Sequence, residues 1–483
     1  MAVKNYFLMK LIFTICFFCC VFIDVQAQQP TSAQEIKTDS VAKKLLQYFA
    51  QKKADSAYTL AGEAFKKALP YDTWMAVCEK QLYGLMPFSN VSFLRSKNSV
   101  SKYKMDGLAP LQLLISLDSL GKFQVFAIQP FQDDTRKKIA SATDNAKQTL
   151  LDKTVDTLLN NYINTVGNVG ASVAIYTKGK DYYYNYGETV KDGKLLPTNA
   201  TLYEIGSISK TFTATLLAKA VVDKKVRLQD AITKYLPDSV AANKDLQTIT
   251  LQQLSNHSSG LPRLPLSMNF TVTNYLQPYE NFDDKALFAF LKQFKATRKP
   301  GDTYEYSNLA VGLLGVILER IYKKTYEQLV LEQIAKPIGL TNTKITITQQ
   351  DSALLAQGYN EKGEAVPAWR FKSLAACGAL KSNAVDILQY GKQQLAVFKS
   401  PLQAYNQLAH LQTFSDGVQK VGLGWHFLVD DADVVWQHGG GTYGCRTMLC
   451  VNEVKGLVVV VLTNNATNGD ALGIKLLQAL ERL

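Results

Sequence analysis

A serine with a lysine three positions further on can place a hydroxyl nucleophile beside the amine that takes its proton, the pairing a covalent serine hydrolase needs. The chain offers that spacing at Ser40, Ser99, Ser101, Ser119 and Ser207. Context separates them. Ser99 and Ser101 lie in the polar run RSKNSVSKYK, Ser119 in the turn SLGK, and Ser40 opens a helix-like stretch rich in lysine and alanine, so each reads as solvated loop or cap chemistry. Of the five, Ser207 alone follows a glycine, Gly206, and it precedes an apolar-periodic run with Phe212, Leu216, Leu217 and Ala220. That run predicts a buried helix of about four turns whose first turn holds Ser207 and Lys210 on one face. A serine cap with a lysine reaching to solvent is the plain alternative.

The rest of the chain must supply the elements that position such a pair. With 483 residues, 47% hydrophobic and 19% charged, it has ample material for more than one folded core. The net charge of +12 comes from lysines spread along the sequence, not from a basic block, and does not call for nucleic acid. Residues 1–27 read as a signal peptide: Lys4 and Lys10 precede the apolar run Leu11 to Ile23, and Val25-Gln26-Ala27 offers the small residues of a cleavage site. The protein is therefore expected to be exported, periplasmic or secreted, and to meet the membrane only through that segment. Cleavage would leave Cys78, Cys377, Cys445 and Cys450. Cys445 and Cys450, five apart on one expected strand, would point to opposite faces, so no disulfide framework is evident. With four histidines, no Cys-x-x-Cys and no His-Glu-x-x-His, neither a metal nor another cofactor is expected.

Residues 28–135 predict a small α+β domain, with helices over Val41 to Phe65 and Tyr71 to Leu82 and then alternating strands in LQLLISLDSL and KFQVFAIQPF. It carries no catalytic constellation and reads as a folding, spacing or docking module. A linker over 136–152 separates it from residues 153–483. There a helix from Lys153 to Val166 leads into a hairpin, Ala171 to Thr177 and Tyr182 to Glu188, around the turn Lys178-Gly179-Lys180-Asp181. A helical middle section follows, then strands in GLGWHFLV, ADVVWQH, RTMLCV and GLVVVVLTN and a last helix, Ala471 to Leu483. Strands at both ends with helices between them predict an α+β fold: one antiparallel sheet flanked by helices, a mostly helical lobe, and a cleft at their junction.

Six ordered blocks then carry a family resemblance: LYEIGSISKTFTA, LSNHSSGLP at Leu254 to Pro262, Tyr306-Ser307-Asn308, PIGLTNT at Pro337 to Thr343, GLGW at Gly422 to Trp425, and HGGG at His438 to Gly441. Over roughly residues 153 to 480 the chain resembles the class C serine β-lactamases and their relatives among penicillin-binding proteins, D-alanyl-D-alanine carboxypeptidases and esterases. The resemblance implies a β-lactamase/transpeptidase-like fold, with Ser207 as nucleophile and Lys210 and Tyr306 sharing the proton. It implies that Asn308 hydrogen-bonds the substrate amide and Lys210, and that the N–H groups of Ser207 and Gly441 form the oxyanion hole. Tyr-x-Asn also occurs at Tyr162 in the expected helix, Tyr183 in the hairpin and Tyr279 among loop residues beside Pro278. Tyr306 is preferred because it ends KPGDTYEYSN and precedes the apolar helix LAVGLLGVILERI.

The third block departs from the family. His438-Gly439-Gly440 stands where the β-lactamases have Lys-Thr-Gly, so the lysine charge and the threonine hydroxyl for a substrate carboxylate are gone. Arg446, eight residues beyond His438, is a candidate replacement, with an arginine on a solvated strand face as the alternative. His257 in LSNHSSGLP reads as structural. The functional expectation is an exported serine hydrolase acting through a Ser207 acyl-enzyme on a D-alanyl peptide, amide or ester, a small-molecule or peptide substrate of cell-wall type. The alternatives are a true class C-type β-lactamase and a weakly catalytic penicillin-binding sensor.

Overall fold

The computed structural model describes residues 29–85, 88, 90–106, 111–131, 141–165, 167–265, 268, 276–430 and 433–483. The expected signal peptide, 1–27, and residues 136–140 of the expected linker lie outside them. The described residues form two compact units, divided between Lys137 and Lys138.

In the N-terminal unit the expected helix over 41–65 is three: α1 (Ala33–Ala50), α2 (Ala54–Tyr58) and α3 (Glu63–Ala68), followed by α4 (Tyr71–Val77). The Ser32 side chain accepts the Glu35 N–H while Glu35 returns a bond to the Ser32 backbone, which fixes where α1 begins. It ends as Lys52 turns left-handed at φ 55°, a break that apolar periodicity does not register. Four antiparallel strands follow in the order β1 (Asn90–Lys97), β2 (Val100–Asp106), β3 (Leu111–Leu117), β4 (Phe123–Pro130). The run RSKNSVSKYK, expected to be solvated loop, is the β1–β2 hairpin. Asn98 and Ser99, both with positive φ, make its two-residue turn, and Ser101, Tyr103 and Met105 point inward at period 2. Trp74, Phe49, Phe65, Phe123 and Phe126 close the core, and Trp74 donates its indole N–H to Ala54 O at 2.9 Å.

The second unit begins with α5 (Leu150–Ile163), capped by a Thr149–Asp152 box. Its main sheet has eight strands, every neighbouring pair antiparallel, drawn from both ends of the unit as expected. These are β5 (Gly170–Thr177), β6 (Lys180–Gly187), β7 (Phe414–Ser415), β8 (Lys420–Val421), β9 (His426–Asp430), β10 (Asp433–Gly441), β11 (Arg446–Asn452) and β12 (Leu457–Thr463). Their order is β7-β8-β9-β10-β11-β12-β5-β6. Strand β12 is buried along its whole length, and its side chains divide by parity. Val458, Val460 and Leu462 join the core of the helical lobe, whereas Val459 and Val461 pack with α5 and the C-terminal helix Gly469–Leu480. The fold is thus an antiparallel sheet flanked by helices. Helix α6 (Ser209–Val222) is buried on every side for its first ten residues, the pattern of a helix inside the lobe and not on its surface. Among the described residues no helix is long and apolar enough to cross a membrane.

Candidate active site

Ser207 sits in the single 3-10 turn Gly206–Ile208 that leads into α6. This turn is pressed against the end of β10. A Cβ on Gly206, whose φ is 51°, would lie 2.6 Å from Gly441 N, and one on Gly440 would lie 2.0 Å from Ile205 O. Both glycines are therefore needed for the approach. Thr447 Oγ1 donates to Ile205 O at 2.9 Å and ties β11 to the same turn. One turn into α6, Lys210 is 1% exposed and donates from Nζ to Ser207 Oγ at 2.9 Å and to Cys377 O at 2.5 Å. The carbonyl arrives because helix α7 (Asn308–Tyr322) has glycines where the 374–377 segment crosses it. A Cβ on Gly312 would meet Leu374 at 2.4 Å and one on Gly315 would meet Ala376 at 2.2 Å.

Tyr306 and Asn308 stand at the start of α7, and it is Ser307 between them that caps the helix. Its Oγ accepts the Ala310 N–H at 2.9 Å and donates to Pro262 O at 2.7 Å. The Tyr306 ring centroid is 4.9 Å from Lys210 Nζ. Asn308 Nδ2 donates to Tyr279 Oη at 2.8 Å, leaving Oδ1 buried without a protein partner. The expected Asn308–Lys210 hydrogen bond is not formed: the lysine's bonds go to Ser207 and Cys377 instead. His257 packs 4.3 Å from the Tyr306 ring, and its Nδ1 accepts the Ser307 N–H at 3.1 Å. Burial, with the neighbouring His426 and Lys210 charges, pushes His257 well below the usual histidine range, so it serves as a neutral acceptor beneath the tyrosine.

His438 is also held neutral, by burial first and then by His426 and Lys210. Its Nδ1 lies 2.7 Å from Gly439 O, and because a carbonyl can only accept, Nδ1 carries the ring's one proton. Nε2 is then a bare acceptor, buried and without a protein partner. The position that carries a lysine cation in the β-lactamases offers a lone pair here. A Cβ on Gly439 would face Met448 and Asp470. Arg446 folds back on the turn before it, donating from Nη1 to Thr442 O at 2.8 Å.

A cavity of about 200 Å³ opens on Ser207. Of the site residues expected from sequence, Ser207, Asn308 and Gly441 line it, whereas Lys210, Tyr306, His438, Gly439, Gly440 and Arg446 do not. Arg263, Tyr279 and Trp369 do, and none of the three was predicted. Tyr279 had been set aside as a loop tyrosine, and Arg263 directly follows the LSNHSSGLP block, which is the signal that was available. Glu204, inside LYEIGSISK, was also missed. Its Oε1 accepts the Trp369 N–H at 2.6 Å and its Oε2 the Thr442 hydroxyl at 3.0 Å, tying together two segments that border the cavity. Burial raises its pKa, opposed by the charge of Lys381. The four described cysteines are buried and free, and no cluster of three or more metal-ligating side chains occurs among the described residues.

A family model described as Beta-lactamase matches residues 152–482. A beta-lactamase from Pseudomonas fluorescens is 31% identical over 258 residues, covering 53% of this chain and 68% of that protein. Among solved structures, a beta-lactamase/D-alanine carboxypeptidase from Pseudomonas syringae superposes with a TM-score of 0.61 at 24% identity over 68% of this chain and 99% of its own. A class C beta-lactamase gives 0.62 at 24% identity over 70% and 98%. At that identity the two structures share the fold.

Proposed function

The chain belongs to the beta-lactamase family and is a serine hydrolase, and from that premise we propose that it is exported and forms an acyl-enzyme on Ser207, acting on a D-alanyl peptide, amide or ester. The observation that carries this reading is the 2.9 Å contact between Lys210 Nζ and Ser207 Oγ at the cavity that Asn308 and Gly441 also line. In the reacting form Lys210 is the neutral amine and the Ser207 hydroxyl donates to Nζ; as Oγ attacks a carbonyl seated there its proton passes to Lys210, while Tyr306 gives its own proton to the leaving group and is reprotonated from Lys210. The N–H groups of Ser207 and Gly441 receive the oxyanion; in serine hydrolases losing one such donor costs about 100- to 1000-fold in rate. Asn308 holds the substrate amide through the polar atom that Tyr279 leaves unpaired. Water then attacks the acyl carbonyl, with the same proton path run in reverse.

The neutral acceptor at His438 favours amide or ester substrates with no carboxylate at that place over β-lactams, whose carboxylate a lysine would hold there. Export is supported by the basic start, the apolar run 11–23 and Val25-Gln26-Ala27, and it would give the enzyme cell-wall-derived substrates. Turnover of β-lactams is the second reading, favoured by the match to the P. fluorescens protein.

The test is labelling of the purified protein and of Ser207→Ala with a fluorophosphonate and a fluorescent penicillin, followed by turnover of nitrocefin, a D-Ala-D-Ala peptide and a p-nitrophenyl ester. Labelling that depends on Ser207, with peptide or ester turnover exceeding that of nitrocefin, is the expected result. Rapid nitrocefin turnover would establish the second reading, and absence of labelling by both probes would overturn the acyl-enzyme.

A further inference from the structure

We infer that Arg263 is the substrate's anion anchor, and that the enzyme prefers acyl groups carrying a carboxylate that reaches this arginine along an aromatic wall. The inference rests on the Ser207 acyl-enzyme reading and deepens it. The family's usual cation is absent, since His438 is neutral with a lone pair at Nε2. Arg446 spends its guanidinium on Thr442 O and Cys445 O and does not line the cavity. Arg263 is the arginine that does, and among the described residues it makes no ion pair and no carboxylate lines the cavity beside it.

Arg263 is also held in place. Its carbonyl accepts the N–H groups of Asn308 at 3.0 Å and Leu309 at 3.1 Å, which fixes its backbone to the first turn of the helix that presents Asn308. Its guanidinium carbon lies 5.1 Å from the centroid of the Tyr306 ring, a cation–π distance that favours one orientation of a flexible side chain. Beside it, Tyr279 stacks on Phe371 at 4.4 Å, Trp369 lies 5.2 Å from Tyr279, and Tyr443 is 5.0 Å from Trp369. Trp369, on the same wall, has a buried indole N–H without a partner. A permanent planar cation beside apolar rings suits a carboxylate at the end of an apolar stem. Asn308, the residue assigned to the substrate amide, is bonded to Tyr279 of this wall, and the anion is assigned with that amide to the acyl part of the substrate.

The test uses two esters of one length, the mono-4-nitrophenyl ester of adipic acid and the 4-nitrophenyl methyl diester of the same acid, with Ser207→Ala supplying the background rate. The wild-type enzyme should prefer the carboxylate by roughly fivefold to tenfold in kcat/KM, the scale of one partly exposed charged hydrogen bond, and added salt should erode the preference. Arg263→Gln should abolish it through KM on the anionic ester alone and leave the neutral ester within about twofold, while Arg446→Gln keeps the preference. A preference that survives Arg263→Gln, an equal loss on both esters, or no preference in the wild type would overturn the assignment. Those outcomes differ from failure of the acyl-enzyme itself, in which the wild type would hydrolyse neither ester and Ser207 would take no fluorophosphonate.

Discussion

Both units set helices against antiparallel strands around buried aromatic side chains, and both contain Ser-x-x-Lys, yet they place the serine of that motif differently. In the N-terminal unit Ser101 is buried in β2 with Ser96 as its side-chain partner, and Ser99 makes a hairpin turn. In the hydrolase unit Ser207 is half-buried at a cavity, Lys210 is fully buried against it, and Asn308 and His438 each keep a buried polar atom with no protein partner. The N-terminal unit also keeps a buried hydroxyl without a hydrogen-bond partner, Tyr103 Oη, but its Ser99 and Ser101 are taken up by the hairpin itself. The difference teaches that the motif is chemically empty until packing seats its serine at a cavity against its own buried lysine.

The strongest test of this contrast replaces the serines one at a time. Ser207→Ala should lower kcat by about 10⁴-fold or more and abolish covalent labelling. Ser101→Ala, at the same motif spacing, should leave both unchanged. Any loss of labelling in the second variant breaks the comparison. Next in size is Trp74→Ala, which removes the centre of the aromatic cluster of the N-terminal unit. It should cost about 3–5 kcal/mol and raise hydrogen exchange in residues 33–130. Labelling of Ser207 by a fluorophosphonate should persist, and its disappearance would mean that the first unit supports the second unit's site.

Acid should separate the units further. All four histidines, His257, His410, His426 and His438, lie in the hydrolase unit. Burial depresses His257 and His438 well below the usual value and His410 to about 3. A folded-state pKa below the unfolded one means that these groups contribute stability that is present above about pH 6.5 and lost as pH falls, because the unfolded chain takes up the protons. Three such groups would cost about 3 kcal/mol between pH 6.5 and 5.5. The buried carboxyls of Glu204 and Asp386, which burial raises, offset part of this by taking up protons in the folded state. The expected net loss is therefore smaller than about 3 kcal/mol, confined to the hydrolase unit and read as region-specific hydrogen exchange corrected for intrinsic rates. An equal loss in both units would remove the histidines as its cause.

What the sequence made legible follows the same division. The sheet built from both ends of the hydrolase unit was readable because β12 and its neighbours are apolar runs bounded by turns. Ser207, Lys210 and Tyr306 were readable because long apolar runs of helical length follow them. Arg263, Tyr279 and Trp369 were not. They reach the cavity from irregular segments, and their meeting depends on contacts such as Trp369 N–H to Glu204 that no local spacing encodes. In the N-terminal unit RSKNSVSKYK was misread because its charges hid the alternation of Ser101, Tyr103 and Met105, whose inward side chains form one face of β2. The break after Ala50 was missed for a related reason: a left-handed lysine, Lys52, ends a helix without changing its hydrophobic pattern.

The smallest expected effect tests whether one kind of residue does different work in the two units. Ser32 and Ser307 both cap helices, each accepting the N–H three residues on. Ser32 is exposed and shares its cap with the Glu35 carboxylate, so water can replace its hydroxyl; Ser32→Ala should cost about 0.5–1 kcal/mol and leave activity untouched. Ser307 is fully buried, and its hydroxyl also donates to Pro262 O, next to Arg263. Ser307→Ala strands an acceptor as well as losing a cap, so about 1–2 kcal/mol is expected. Because Tyr306 and Asn308 flank it, a shift of a few tenths of an ångström at the helix start should also lower kcat by roughly 3- to 10-fold while Ser207 still labels. Equal stability losses with no change in kcat would mean that the start of α7 tolerates disorder, and that Tyr306 is positioned by His257 and Lys210 from the other side.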